Sequence, residues 1–476
     1  MSSSIANHPD RLFPADPTTR AIARTLHAEV EHLPIISPHG HVDAAMIADD
    51  LAFPDPTTLL ISPDHYVTRL LHSAGTSLAD VRAGTAAHDP AGIDPKQAWR
   101  NFATQWNLFD GTASGYWLRE ELTSVFGVDD ALLGSADPAD ADTVYATIEA
   151  KLAEPSFRPR ALMGQFNIEV LATTDDPLDS LEAHDRLAAD PTFAPRVLPT
   201  FRPDAYIKFE NSDFARNATR LIDTAGEGAS GYQGYLAGMA NRRRYFREHG
   251  AVSSDHGVHV PSSLRLSEQE AAVLFARGLS GEATRQEALA FEAHMTYQQA
   301  RMACEDGLVM TLHPGVHRNT HPGTLAQFGP DTGHDIPFGI DYSTGLQPLL
   351  QDFGTDPNFQ LVAFTIDETV YSRELAPLAG FYPSLFIGAP WWFLDAPDAM
   401  LRFRSAVTET AGFSRSSGFV DDTRAFCSIP ARHDASRRIE AAFLARLVAE
   451  HRISEKRAAE IIVDIVDAAP RRAFKL

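Results

Sequence analysis

Eight short apolar runs, each followed by a polar cluster and then a helical pattern, read as parallel βα units. A long helix-patterned stretch separates the first two runs, and a helical tail follows the last. Together these observations predict an α/β chain: a (β/α)8 TIM-type barrel with a large helical insertion after the first strand and C-terminal closing helices. The expected partition is 1–42 for an N-terminal helix and the first barrel strand, and 43–160 for the helical insertion. The remainder of the barrel, with its own helical insertions, takes 161–433, and the C-terminal helices take 434–476.

The predicted strands, in order, are LPIIS from Leu33, IEVLATT from Ile168, RVLPTF from Arg196, AVSS from Ala251, LVMTL from Leu308, QLVAFTI from Gln360, SLFIGA from Ser384 and SGFVDD from Ser417. Most are rich in the β-branched and aromatic side chains that suit a pleated surface. The stretch from about Val42 to Arg160 is far longer than one crossover needs, so it must carry structure of its own. Within it HYVTRLLHSAG, KQAWRNFATQWNLF, YWLREELTSVFG and TVYATIEAKLA place apolar residues at three-to-four spacing, and the Pro/Asp loops AHDPAGIDP and GSADPADAD separate them. Helices also fill Asp204 to Gly250 and Leu264 to Gly307, and the tail after Arg437 reads as two closing helices.

Composition narrows the function classes. The 476 residues carry 41 Lys+Arg against 63 Asp+Glu, a net charge of −22. A chain of this length buries roughly three quarters of its unfolded surface and needs no disulfide scaffold. So acidic a protein disfavours nucleic acid, since neutralising phosphates takes a basic surface and the longest basic run is Arg242, Arg243, Arg244. Cys304 and Cys427 lie far apart and outside any CxxC pair, which suits a reducing cytoplasm. The start, MSSSIANHPDRLF, lacks the basic and apolar segments of an export signal, and no run approaches the roughly 18 apolar residues of a membrane span. A small-molecule substrate is therefore expected, with neither membrane nor nucleic-acid partners, and large barrels of this kind commonly form homo-oligomers.

The chemistry gathers where the strands end. The first strand runs into SPHGHVD, and side chains two apart on a strand share a face, so His39 and His41 both point into the barrel mouth. His313 in LVMTLHPG and Asp422 in SGFVDDTRAF follow later strands at the same end. Three imidazoles and a carboxylate suit Zn²⁺, and Mn²⁺ would also accept them. Capping or core histidines and a solvated Asp421–Asp422 turn are the alternatives. A guanidinium in the mouth needs an anion; Arg202 and Arg424 are read as carboxylate clamps, and Arg318 as a partner of a neighbouring aspartate. PDHYVTRLL supplies His65, Tyr66 and Arg69, a set able to shuttle a proton and orient an anion, though it is also an ordinary first helical turn. GAPWWFLD presents Trp391 and Trp392, which can stack on a sugar face or fill core. No GxSxG elbow, P-loop or strand-borne GxGxxG occurs, so serine hydrolysis, NTP hydrolysis and dinucleotide binding have no support.

With these residues assembled, the chain resembles the uronate (glucuronate) isomerase family, a divergent branch of the metal-dependent amidohydrolase superfamily. The likeness runs from about Ala15 to Arg438 through LPIISPHGHVD, PDHYVTRLLHSAG, LATTDDPLDSLEAHDRL, LPTFRPD, SSDHGV, TLHPGVHRN, GAPWWFLD and FVDDTRAFCSIPARH. It implies a barrel enzyme that interconverts D-glucuronate with D-fructuronate, and often D-galacturonate with D-tagaturonate. It further implies metal ligands at His39, His41, His313 and Asp422, and substrate contacts at His65, Tyr66, Arg202, Trp391 and Trp392. Asp175 and Asp176, in the TTDDP strand end, are assigned to loop architecture or substrate hydroxyls. Ser37 and Gly40 depart from the family's commoner residues beside the first histidine, and so does the loop GVHRNTH. An aldose–ketose isomerase needs a base, an electrophile and a clamp. Asp422 or Tyr66 would relay the C2 proton, Arg424 would stabilise the enediolate and Arg202 would hold the distant carboxylate. A metal hydrolase acting on a lactone, amide or ester, and a non-catalytic barrel that binds sugar acids, are the rival readings.

Overall fold

The computed structural model describes residues 5, 7–89 and 91–476. The first residues of the stretch read above as lacking an export signal, and Pro90 of the AHDPAGIDP loop, lie outside the described residues. Among the described residues ten strands form in chain order: β1 Ile35–Ser37, β2 Ile168–Ala172, β3 Arg196–Leu198, β4 Thr200–Phe201, β5 Ser253–His256, β6 Val309–Leu312, β7 Val316–His317, β8 Ile336–Pro337, β9 Leu361–Ala363 and β10 Leu385–Ile387. Parallel pairing orders them β1-β2-β3 in one sheet and β10-β9-β6-β5-β4 in another, while β7 and β8 form a separate antiparallel pair. In β1, β5, β6, β9 and β10 every residue is buried, as expected where a parallel sheet is covered on both faces.

Pro199 divides the predicted strand from Arg196 into β3 and β4, which pair with β2 and β5 respectively. The prediction from Ala251 shifts toward its C-terminal end, to Ser253–His256. The predicted eighth strand from Ser417 is not a regular strand: only an isolated bridge links Ser416 to Ile387, with the Ser417 amide donating to the Ile387 carbonyl at 2.9 Å. Gly418 explains this, since its φ of +75° breaks an extended run and a Cβ there would lie 2.5 Å from Pro470. On the other side of this segment the His41 amide donates to the Thr423 carbonyl at 3.0 Å, next to β1.

Between β1 and β2 the chain is helical, with helices Ala44–Asp49, Pro56–Leu60, His65–Ser73, Pro95–Ala103, Ala113–Glu120, Pro138–Leu152 and Pro159–Gln165. Aspartate caps recur: Asp43, Asp55, Asp64, Asp94 and Asp137 each accept a backbone N–H of the first turn. The Asp64 cap is the one that bears on the site, because it starts a helix at His65 and Tyr66. Trp99, Phe102, Phe109, Leu122, Phe126 and Ile148 knit these helices into a core continuous with Ile168 and Leu171 of β2. The C-terminal helix Ile429–Ala449 is buried along most of its length and lies against Pro17–Ala28, with Leu26, Leu444 and Ile462 in one apolar cluster. Among the described residues no helix is long and apolar enough to cross a membrane.

Candidate active site

At the C-terminal ends of the strands, His39 Nε2 and His41 Nε2 approach one oxygen, Asp422 Oδ1, at 3.2 and 3.1 Å. One ligand atom from each of these residues lies within 4.8 Å of the other two. The His39 ring stacks on His313 with centroids 4.7 Å apart. His313 Nδ1 donates to Asp255 Oδ1 at 2.7 Å, which in a neutral imidazole leaves the lone pair on Nε2, an atom buried without a hydrogen-bond partner. Converging imidazoles, one carboxylate oxygen and an orphaned buried nitrogen fit the donor set of a Zn²⁺ or Mn²⁺ site. Burial alone would drive the Asp422 carboxyl upward, but the His39 and His41 contacts hold it well below the usual carboxylate range. Asp422 also sits at a φ of 45°, in the left-handed region that is uncommon for non-glycine residues.

Asp255 joins this histidine wall to an arginine. Its carboxylate is wholly buried and accepts from Thr311 Oγ1 at 2.6 Å as well as from His313, while its other oxygen pairs with Arg202 Nη1 at 3.1 Å. Burial opposes its charge, yet His313, Arg202 and His39 keep it well below the usual carboxylate range. Arg202 Nε also donates to Asp204 Oδ2 at 3.0 Å. The expectation that Arg202 and Arg424 lack aspartate partners is therefore corrected, because Arg424 Nη2 donates to Asp331 Oδ2 at 3.1 Å. Arg318 does pair as expected, with Asp335 at 2.9 Å.

The Asp64-capped helix delivers Tyr66 to the opposite wall, where its hydroxyl donates to Asp395 at 3.1 Å and accepts the Phe393 amide at 3.1 Å. Burial and Asp395 raise the phenol well above its ordinary range, so Tyr66 is protonated at neutral pH. His65 packs against Tyr66 and, at 5.7 Å, against Trp392, and burial lowers its pKa. Trp391 and Trp392 are both largely buried, with Trp391 edge-on to His313 at 4.6 Å. A cavity of about 570 Å³ gathers His41, Tyr66, Arg202, His313, Asp422 and Arg424 on one surface, and His65 and both tryptophans line it too. His39 stands behind that surface through Asp422. Arg69, read with His65 and Tyr66 as one set, instead lines a second cavity and covers the Phe393 ring at 4.4 Å.

Sequence reasoning missed Asp255, Asp395 and Arg432. Asp255 sits near the end of β5, opposite Thr311 of β6, in a strand whose residues are all buried. The link from Asp395 to Arg432 has no local signature, because it forms between the WWFLD turn and the distant helix Ile429–Ala449.

The family model described as glucuronate isomerase matches residues 18–474. A uronate isomerase of Corynebacterium efficiens is 60% identical over 476 residues, covering 100% of each chain. The crystal structure of glucuronate isomerase from Caulobacter crescentus superposes with a TM-score of 0.94 at 46% identity, covering 99% of this chain and 97% of that one. That of uronate isomerase from Thermotoga maritima gives 0.90 at 26% identity, covering 98% and 99%.

Proposed function

The chain belongs to the glucuronate isomerase family and is an enzyme, a uronate isomerase; on that premise we propose that it interconverts D-glucuronate with D-fructuronate, and D-galacturonate with D-tagaturonate, by moving a proton between C2 and C1. The observation that carries the reading is one cavity in which the His39, His41 and Asp422 group faces Tyr66 and two guanidinium groups, Arg202 and Arg424. A sugar acid needs that combination: a cation site for its carbonyl end, and arginine for its carboxylate.

His39, His41 and Asp422 would hold a divalent cation, most simply Zn²⁺, with His313 as the fourth contributor. Bound there, the cation supplies Lewis acidity that polarises the open-chain carbonyl. Arg202, fixed by Asp204 and Asp255, is positioned to bind the substrate carboxylate, and Trp391 borders the same cavity as a stacking candidate for the sugar. Arg424 exchanges Asp331 for the charge that develops on the enediolate. The C2 proton falls to Asp422 or Tyr66, which both line the cavity. In the same reading the Ser416–Thr423 segment completes an eight-stranded barrel, supported by its hydrogen bonds to β10 and to His41. A reducing cytoplasmic location and self-association also belong to it, and the free thiols Cys304 and Cys427 agree with the former.

Incubating the chelated, cation-restored protein with D-glucuronate in D₂O tests the proposal. Ketose formation with deuterium appearing at the exchanging carbon is expected. An unchanged sugar, with turnover of a lactone or amide instead, contradicts it.

A further inference from the structure

Behind the wall that carries Tyr66 opens a second cavity of about 550 Å³, distinct from the one that gathers the substrate groups. Leu70, Leu78 and Phe393 give it apolar walls, and one guanidinium reaches it. Arg69 is half-buried, lies 4.4 Å over the Phe393 ring and makes no ion pair or hydrogen bond among the described residues. Burial pulls its pKa down, and no carboxylate stands close enough to offset that. Asp395 borders the same cavity but is engaged elsewhere, by Arg432 at 3.0 Å and by the Tyr66 hydroxyl at 3.1 Å. A half-buried guanidinium with no counter-charge calls for an anion. His334, on the same lining, adds a second donor: its Nδ1 accepts the His321 amide at 3.3 Å, so the neutral ring carries its proton on Nε2, which is buried without a partner. The hydroxyls nearby are turned to the main chain. Ser73 Oγ donates to the Leu70 carbonyl at 2.7 Å and Thr112 Oγ1 to that of Phe109 at 2.8 Å. A sugar would find few partners for its hydroxyls here, whereas an apolar body with one carboxylate matches the lining. The rim at His72, Ser73 and His321 is exposed, so the cavity is open to solvent.

We propose that this second cavity is a binding site for a small apolar monocarboxylate, its carboxylate taken by Arg69 and its body lying along Leu70, Leu78 and Phe393. The site stands apart from the isomerase chemistry, since it uses no cation ligand and no assignment of the C2 proton. Its place in the fold nonetheless bears on the catalytic cavity. Gly333 rests so closely on Arg69 that a Cβ there would lie 2.5 Å from the Arg69 Cβ, and two residues earlier Asp331 holds Arg424 at 3.1 Å. A ligand on Arg69 therefore sits against the loop that borders the mouth of the substrate cavity.

Calorimetric titration of the full, cation-loaded chain with benzoate, in the presence of saturating D-glucuronate, tests this. The sugar fills the substrate cavity, so the benzoate signal reports the second one. Binding of one benzoate per chain with a Kd of about 1 mM is expected. Benzyl alcohol, which keeps the ring and lacks the charge, should bind at least about 10-fold more weakly. Arg69→Met should weaken benzoate at least about 10-fold, Arg69→Lys should fall between that variant and the parent, and Arg202→Met should leave the affinity within about 2-fold. Benzoate affinity unmoved by Arg69→Met, equal binding of benzyl alcohol, displacement by D-glucuronate, or no binding at about 10 mM benzoate each overturns the proposal. The comparison of benzoate with benzyl alcohol needs no variant, so it decides the matter even where Arg69→Met does not fold.

Discussion

The two walls of the cavity are built differently. On the strand side His39, Asp255 and His313 are 2%, 0% and 6% exposed and lock together through short contacts anchored in β5 and β6. On the loop side the side chains of Arg318, Asp331 and Arg424 are 44%, 35% and 47% exposed, and their ion pairs face water. The difference teaches where each kind of work belongs. A cation site needs donors that do not move, and burial with mutual hydrogen bonding supplies that. A site that must admit and release a charged sugar needs ion pairs that exchange at little cost, and half-exposed ones do so.

The largest expected effect is on the rigid wall. Asp422→Asn should lower kcat by about 10³-fold or more and release the bound cation, as read by steady-state kinetics and elemental analysis. Retained cation with near-parental turnover would break the distinction at once. Asp255→Asn comes next: it loosens His313 and leaves Arg202 with one partner fewer. A fall of about 10–100-fold in cation affinity or activity should follow, with a lowered Tm. Arg202→Met should act mainly on recognition, raising KM for the uronate about 10–100-fold with a smaller change in kcat.

How much of this was legible in the sequence depends on which interactions are local. His39 and His41 announce themselves because strand geometry alone puts residues two apart on one face. The βα rhythm likewise exposes seven of the predicted strands, whereas the last fails because Gly418 and Asp422 both take positive φ and its pairing shrinks to a single bridge. Asp255 was hidden in SSDH, where every residue is buried and no alternation marks the one that matters. Asp395 and Arg432 were invisible for another reason: their meaning arises only when a turn and a helix 37 positions apart in sequence meet. The aspartate partners of Arg202 and Arg424 were misjudged because residue type cannot show which carboxylate folding brings nearest.

Two smaller effects sharpen the contrast at the helical edge and on the loop wall. Glu121 is buried in the π-turn Glu121–Val125, and burial raises its carboxyl from 4.5 to about 8. Because the folded value lies above the unfolded one, its contribution to stability is intact below about pH 4.5 and lost as pH rises through about 8. Glu121→Gln should therefore gain about 1–3 kcal/mol over the parent at pH 9 and little at pH 4, as measured by denaturant unfolding. Asp331→Asn should change stability by less than about 1 kcal/mol, while freeing Arg424 and making KM for the uronate more sensitive to salt. A large stability loss there would mean that the loop wall is as rigid as the strand wall.

The most direct measurement is the cation content per chain of the parent and of His41→Ala, taken together with D-glucuronate turnover in the same preparations. The structure predicts close to one divalent ion per chain in the parent, with ion and turnover lost together in the variant. A variant that keeps its ion, or a parent that turns over fully without one, contradicts the assignment of His39, His41 and Asp422 to a single cation site.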